Sequence, residues 1–594
     1  MNITEHKDLT PLTTFGVPAK ARYYAEYSSE QELLKLSRTD IFINNEVLHL
    51  GGGSNLLFIG EYDGLVLHSQ IKGITRYEKD PEHVFVIAGA GEIWDDLVDW
   101  CVAQGLGGLE NMAGIPGNVG ASAVQNVGAY GAEAGDFIHS VECFDTLTRK
   151  PRRFTAAECR FGYRDSFFKH EGKERYVVLR VAFRLYPDTK AKNLKYGSLK
   201  ELTARLGHTP EISEVAAEIR RIRNEKLPDP QIVGSAGSFF KNPVIGNYHY
   251  NELCATLGEE IPAHPAGEHH MKLSAAWLID QAGMKGYRVG GAEVWEKQPL
   301  VIANTGGATA RDVVDVAEAV RTAVRRKFNI NLRPEVNYID TSIRVTVLGS
   351  GTSKGVPEVG CECRVCRSED SRDKRLRASV LVKTHGMNIL IDPSADFRAQ
   401  ALQHNIFDID AVLITHSHYD HVGGIDDLRP FCSMGDLPLY VRSDVDADLR
   451  TRLDYCFTSH PYPGVPKFDM RVIDNYPFYI NGLKIVPIEV MHGKKPIFGY
   501  RIGRFGYVTD AKHIDEREKE KLTGLDTLIV NGLRDREHFA HFSFAEAVSL
   551  IEELKPRRAF LTHFCHEAGL HREMMERFPD NIQPAYDGQI IEID

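Results

Sequence analysis

The tract "LITHSHYDHVGG", residues 413–424, constrains the fold of this 594-residue chain more tightly than any other. A short apolar run feeds straight into polar residues, so a strand must deliver His416, His418, Asp420 and His421 from its C-terminal end. Sheet-based α/β folds build their sites at that edge. Imidazole and carboxylate groups in an H-x-H-x-D-H array suit zinc, manganese or iron, and such a turn can bracket two ions.

The neighbouring sequence has the same character. After residue 342, "RVTVLG", "SVLVKTH" and "MNILIDP" read as strands separated by polar turns. Later "LKIVPIEVMH", "FGYRIGRFGYVTDA", "TLIVNG" and "RAFLTHF" each carry His, Asp or Gly at or near their ends. His492, Asp510 and His563 are therefore further candidate ligands. Together with the first four they resemble the metallo-β-lactamase fold over about residues 343–594. The resemblance implies an αββα sandwich holding two catalytic divalent metals, zinc or manganese, with Asp510 bridging them.

"GCECRVC" adds three thiols, Cys361, Cys363 and Cys366, one ligand short of a closed zinc site. This half is similar to the phosphodiesterase of phosphonate breakdown that opens phosphoribosyl cyclic phosphate. The resemblance implies one structural zinc, with His566 as fourth ligand. It also matches His541 to a histidine that contacts the substrate phosphate and protonates the leaving oxygen. "SRDKRLRAS", with Arg372, Lys374, Arg375 and Arg377, is either a phosphate-steering patch or a solvated face. A tRNA-processing nuclease, a thioester hydrolase and a non-catalytic metal module remain alternatives within the fold.

The first half carries two glycine-rich segments, "LHLGGGSNLLF" (48–58) and "GLENMAGIPGNVGASAVQNVGAYG" (108–131). Such turns let backbone approach a bulky anion and present N–H groups to it. Neither has the spacing of a Rossmann fingerprint. With "TTFGVPA", "FGYRDSFFK", "LPDP", "GSAGSFFKNP", "AAWLIDQAGMKG" and "RPEVNYI" in order, residues 9 to 340 resemble UDP-N-acetylenolpyruvoylglucosamine reductase. The resemblance implies a two-lobed α+β FAD-binding module of the vanillyl-alcohol-oxidase type, an α+β substrate domain, and NADPH as reductant of a UDP-sugar.

It assigns Gly51, Gly52, Gly53, Ser54, Asn55, Gly114, Ile115, Pro116, Gly117, Gly120 and Ala121 to the flavin. Arg164, Ser238 and Glu335 become catalytic: a carboxylate-binding fork, a proton donor to carbon, and a stabiliser of the developing enol. Tyr130, Tyr196, Lys226 and Asn242 fall on substrate or NADPH. A flavin alcohol oxidase of the same module is the alternative, although no tethering His or Cys stands in the motif cores.

"PEVNYIDTSIRVTVLGS" (334–350) joins the halves with almost no linker. The expected domains are 1–200, an FAD-binding pair of lobes; 201–341, a substrate-binding domain; and 342–594, a hydrolase. Helices are expected over "IWDDLVDWCVAQGL", "EVAAEIRRIRNEKLPDP" and "ARDVVDVAEAVRTAVRRKF" from their apolar spacing. A net charge of −11 argues against a nucleic-acid-coating surface. The expected partners are small molecules, a UDP-sugar and a phosphodiester. With neither a signal peptide nor an apolar run long enough to span a membrane, a cytoplasmic location is expected. Ten cysteines without a disulfide-like pattern agree with a reducing compartment.

Overall fold

The computed structural model describes residues 2–80, 83–188, 193–194, 197–230, 232–340, 342–432, 435–458, 462 and 464–593. Two compact units emerge: Met1–Asn242 with Ser274–Asp340, and Pro243–Leu273 with Thr341–Asp594.

The first unit contains two main sheets. One has the order Ile3–Asp8, Lys20–Tyr27, Glu61–Ser69, Val47–Leu50; the other runs Lys150–Thr155, Ile138–Asp145, Tyr176–Pro187, His83–Gly89, Ile74–Asp80. The long central strand Tyr176–Pro187 serves both cores. Its Val177 and Leu179 pack with Leu33, Leu65 and Leu67 of the first lobe, while Val181, Phe183 and Leu185 join the second. All five stand at odd positions, so the strand exchanges its faces at the bulge where Arg180 and Val178 oppose the consecutive residues Glu142 and Cys143.

Helix Trp94–Ala103 lies on the second core through Trp94, Leu97, Val98 and Cys101, as its spacing predicts, whereas Val102 is half-buried. Helix Ile212–Lys226 stops before Pro228, whose ring disfavours helical backbone in the preceding residue. Helix Ala310–Phe328 opens on a Thr309–Asp312 capping box and closes on Arg325, Arg326 and Lys327, which complement its dipole. Beyond it, strand Asn337–Ile339 pairs in parallel with Leu56–Phe58. That pairing returns the end of the unit to the first glycine-rich turn.

In the second unit the excursion Pro243–Leu273 forms a three-stranded sheet with helix Asn247–Leu257. The remainder is two seven-stranded sheets. The first has the order Phe468–Val472, Leu437–Val441, Ala411–Leu413, Met387–Ile391, Ser379–Thr384, Ile343–Gly349, Ile590–Ile593. The second runs Phe478–Ile480, Leu483–His492, Lys495–Ile502, Phe505–Val508, Thr527–Asn531, Arg558–Thr562, Ile582–Pro584. Their inner faces share one core, in which Val345, Ile389 and Leu413 meet Ile485, Tyr500, Tyr507 and Ile529. Helix Phe397–Gln403 covers one outer face and Phe544–Leu554 the other, giving an αββα sandwich.

"FGYRIGRFGYVTDA", read as one strand, is a hairpin. Gly503 at φ +53° turns the chain, and Arg501 pairs with Gly506. A left-handed glycine between two apolar runs is the signal for that turn.

Candidate metal centre and flavin site

Strand ends assemble the metal centre. The loop after Ala411–Leu413 supplies His416, His418, Asp420 and His421, and Leu483–His492 ends on His492. Asp510 and His563 follow Phe505–Val508 and Arg558–Thr562, both in left-handed backbone, φ +57° and +63°. Non-glycine residues rarely adopt that conformation, and such strain collects at functional sites.

Two ligand groups result, His416–His418–His492–Asp510 and Asp420–His421–Asp510–His563. In each, one ligand atom per residue lies within 4.8 Å of the others, and Asp510 belongs to both. Buried His421 Nε2 and His563 Nε2 form no hydrogen bond, although oxygens of Asp420 and Asp510 stand 3.0–3.6 Å away. Donors aimed at a common centre rather than at one another are what a metal pair requires, so these residues fit two divalent ions.

The surrounding residues orient the rings. His492 Nδ1 sits 2.9 Å from Asp510 O and 3.1 Å from Ala540 O, which leaves Nε2 for a metal. Asp392 was not singled out from the sequence. It ends strand Met387–Ile391 at φ +61°, accepts from Thr415 N and Oγ1, and lies 2.7 Å from His421 Nδ1. An Asp directly after "NILI" was its only sequence signal.

His541 borders the centre, its ring centroid 4.8 Å from His492 and 4.9 Å from His563. Burial, and then the neighbouring imidazoles, push it down to about 3 against the pull of Asp510. It is thus a neutral hydrogen-bond donor, which becomes an acid only when an anion beside it raises its pKa.

The cysteine loop closes onto His566, whose Nδ1 lies 3.1 Å from Cys361 Sγ and 3.6 Å from the Sγ atoms of Cys363 and Cys366. Backbone N–H groups of Glu358 and Cys366 donate to Cys366 Sγ and Cys363 Sγ. Three sulfurs and one imidazole nitrogen within 4.8 Å of one another fit a tetrahedral zinc.

The basic tract beside it is spent internally. Arg375 is buried against Ser350 Oγ and Ala585 O, Arg372 pairs with Asp370, and Arg377 with Asp396. Lys374 Nζ donates to Cys366 O. All four cations thus have partners within the chain.

In the first unit the two glycine-rich turns pack into one cradle. A Cβ on Gly52 would stand 2.8 Å from Gly117 Cα, and one on Gly51 3.1 Å from Ala121 Cβ. Gly53 is left-handed at φ +58°, with Leu12 O directly against it, and Ser54 Oγ donates to Pro116 O. Gly120 is pressed on Ala90, Gly114 is held through Asp95 and Arg223, and Ile115 is packed on the core. A backbone cradle that side chains would fill fits a bulky dinucleotide such as FAD.

Beside it, Arg164 Nε donates to Glu335 Oε1 at 2.9 Å, while its Nη atoms reach Asn126 O and Gly128 O. Asn55 ties this end to the cradle, since its Nδ2 donates to Glu335 O and its carbonyl accepts from Asn337 N. Residues 239–241 run antiparallel to 333–335, through Glu335 N to Phe239 O and Lys241 N to Arg333 O. In that register Ser238 immediately precedes the Phe239–Glu335 pair.

Two cations were missed in the sequence although they stand within quoted motifs. Lys169 Nζ donates to Gln125 Oε1 and Arg164 O, and burial, reinforced by Lys241, lowers it to about 8. Burial also lowers Lys241, against the attraction of Glu335. Asn242 Oδ1 accepts from Ala275 N, and Tyr130 stands at φ +48° with its carbonyl bound by Asn111. Lys226 is exposed at a helix end, and Tyr196 lies outside the described residues.

Comparison with known proteins gives three domain matches: an FAD binding domain over residues 21–147, the UDP-N-acetylenolpyruvoylglucosamine reductase C-terminal domain over 229–339, and a beta-lactamase superfamily domain over 387–564. The UDP-N-acetylenolpyruvoylglucosamine reductase of Neisseria gonorrhoeae is 46% identical over 340 residues, covering 56% of this chain and 97% of its own. Among solved structures, a diphosphatase from the PhnP family shares 38% identity over 42% of this chain and 97% of its own, TM-score 0.40. The Thermus caldophilus reductase shares 26% over 57% and 99%, TM-score 0.40. The chain belongs to the UDP-N-acetylenolpyruvoylglucosamine reductase family and carries a metallo-β-lactamase-fold domain in the same polypeptide.

Proposed function

We propose that the first unit reduces UDP-N-acetylenolpyruvoylglucosamine to UDP-N-acetylmuramate with FAD and NADPH, and that the metal centre is a binuclear phosphodiesterase. The Arg164–Glu335 contact beside the glycine cradle carries the first reading. We propose domain limits of 1–200, 201–341 and 342–594; the break between the units after Asp340 supports the last limit and the reductase C-terminal match over 229–339 supports the middle domain, while Pro243–Leu273 groups with the second unit.

Bound FAD supplies hydride transfer from NADPH to the enolpyruvyl double bond. The protein must then hold the substrate carboxylate, steady charge on that side, and protonate carbon. Three of the five Arg164 donors are engaged, leaving two for a carboxylate. Lys169 and Lys241 add positive field from behind. Glu335, held by Arg164, steadies the enol, and Ser238 Oγ, without a hydrogen bond among the described residues, gives its proton to carbon. We assign Tyr130, Tyr196, Lys226 and Asn242 to substrate or NADPH on the family resemblance. The test is NADPH oxidation by the flavin-replete protein with and without the enolpyruvyl substrate; no substrate-dependent turnover overturns it.

For the metal centre, the Asp510-sharing pair of ligand groups carries the reading. Two divalent ions, zinc or manganese, would supply Lewis acidity toward a phosphoryl oxygen. His541 donates to the phosphate and then to the leaving oxygen. The cysteine cluster takes a structural zinc. A reducing, cytoplasmic setting suits ten unpaired cysteines. The test is manganese- or zinc-dependent hydrolysis of bis-p-nitrophenyl phosphate beside His418→Ala; no activity in the metal-replete wild type overturns it.

A further inference from the structure

His563 differs from His416, His421 and His492 in what holds its ring. His416 Nδ1 lies 3.0 Å from Thr415 Oγ1, His421 Nδ1 meets Asp392, and His492 Nδ1 meets two carbonyls. His563 Nδ1 is buried and has no hydrogen-bond partner among the described residues. Its ring is therefore aimed by its backbone, which sits in the left-handed region at φ +63°. Such a conformation persists only where the neighbours over-determine it.

That holding falls to the next residue. Phe564 N donates to Ser350 O and Phe564 O accepts from Thr352 N, both at 2.9 Å. Arg375 Cζ lies over the fully buried Phe564 ring, 4.5 Å from its centroid. Arg375 Nη1 donates to Ser350 Oγ at 2.8 Å and to Ala585 O at 2.6 Å. Ser350 Oγ in turn donates to Asp587 Oδ1 at 2.7 Å, and Asp587 also accepts from Ser350 N and Leu376 N. A planar fork that stacks on a ring while donating at its edge is a geometry that lysine does not supply.

The backbone of Arg375 serves the other ligand cluster. Its N–H donates to Val356 O at 2.7 Å, its carbonyl accepts from Val356 N at 2.9 Å, and Val356 packs on Cys366. His566, the imidazole of the cysteine cluster, stands three residues beyond His563. The cluster and His563 are thus joined twice, along the chain through 563–566 and across it through Arg375. We propose that Arg375 is a positioning residue for the metal centre: it holds His563 through Phe564 and Ser350 and, through Val356, couples occupancy of the cysteine cluster to metal affinity at the Asp420–His421–Asp510–His563 group. This inference rests on the two metal fits above and adds a dependence of one upon the other, which linkage makes reciprocal. The His416–His418–His492–Asp510 group does not include His563 and is expected to be spared.

The test is titration of manganese into full-length protein whose metal centre has been emptied with a chelator while zinc stays in the cysteine cluster. Electron paramagnetic resonance follows it, because a coupled manganese pair and a single ion give different spectra. Arg375→Lys keeps the charge without the fork. It is expected to weaken one of the two manganese ions about 10–100-fold, the usual cost of losing an orienting partner, and to spare the other within about twofold. Cys366→Ser, which empties the cysteine cluster, is expected to weaken the same ion. The double variant is then expected to lose no more than the larger single loss, as residues in one network do. Phe564→Leu removes the ring beneath the guanidinium, is expected to weaken that ion about two- to fivefold, and carries the test if Arg375→Lys does not fold. Equal weakening of both ions, no weakening in these variants, or additive losses in the double variant overturns the proposal while leaving the binuclear centre intact. A wild type that binds fewer than two manganese ions overturns the binuclear reading, and this inference with it.

Discussion

Arg164 Nε lies 2.9 Å from Glu335 Oε1, although 171 positions separate the two residues in the chain. The pair closes only because strand Asn337–Ile339 pairs with Leu56–Phe58 and residues 333–335 pair with 239–241. Ser238 is placed by that arrangement, and its hydroxyl is free among the described residues. Ser238→Ala should therefore spare reduction of the flavin by NADPH and slow the later protonation of carbon. The expected loss is about 10²–10⁴-fold in the second half-reaction, the usual worth of a positioned proton donor. Stopped-flow absorbance of each half-reaction checks it; an equal loss in both would place Ser238 elsewhere.

Gly52 and Gly117 define the cradle by their lack of side chains. Adding a Cβ at Gly52 drives it to 2.8 Å from Gly117 Cα and 2.9 Å from Asn118 Oδ1, and backbone cannot swing aside as a long side chain can. Gly52→Ala should yield soluble protein with little flavin, read from the ratio of visible to ultraviolet absorbance. Gly60→Ala, where nothing lies within 4 Å of the new Cβ, should keep full flavin. Equal flavin in both variants would detach the cradle from the cofactor.

Local chemistry was legible in the sequence and long-range chemistry was not. His416, His418, Asp420 and His421 stand within six residues, so their convergence needs only one strand end and one turn. Helix Ala310–Phe328 was equally plain, since its cap, apolar stripe and closing cations are all local. The Arg164–Glu335 contact depends on two strand pairings across the unit, and only the family resemblance pointed to it. Asp392 and Lys169 escaped notice because one Asp after a strand, or one Lys among phenylalanines, acquires meaning only from its neighbours in space. The basic tract at 372–377 stayed ambiguous for the same reason: its charges count as free until their partners Asp370 and Asp396 are seen.

Asp510 is shared by both ligand groups, whereas Asp392 meets a ligand at its far nitrogen, Nδ1 of His421. Asp510→Asn should therefore cost the protein both ions. Asp392→Asn should keep the site and weaken metal affinity about 10–100-fold, the usual cost of losing an orienting partner. Metal analysis after gel filtration, followed by titration of manganese into the metal-free protein, separates the two. If Asp510→Asn retains a full pair of ions, the shared-ligand geometry is wrong.

Cys366 is the most buried of the three clustered thiols and packs with Val356 and Val365 in a small apolar knot. Cys366→Ser should remove one zinc per chain, lower the thermal midpoint of the second unit, and leave flavin content unchanged. Zinc analysis and calorimetry check this. Retention of that zinc would mean that the fourth position is filled by another donor.

Lys169 gives the reductase an alkaline limit. Its ammonium is buried against Arg164 O and Gln125 Oε1, and its pKa falls from 10.5 to about 8. The sign follows from linkage: between about 8 and 10.5 the unfolded chain holds a proton that the folded one has lost. Stability therefore rises with pH across that window, and the full cost of the buried charge is carried below pH 8. Activity should run the other way, because a neutral Lys169 withdraws positive field from the carboxylate-binding Arg164. We expect kcat/KM for the enolpyruvyl substrate to fall as pH rises through about 8, with NADPH reduction of the flavin less affected. Lys169→Arg, which stays charged throughout, should remove that limb while keeping activity at pH 7 within about tenfold. A limb unchanged in Lys169→Arg would assign it to another group, Lys241 being the next cation at the site.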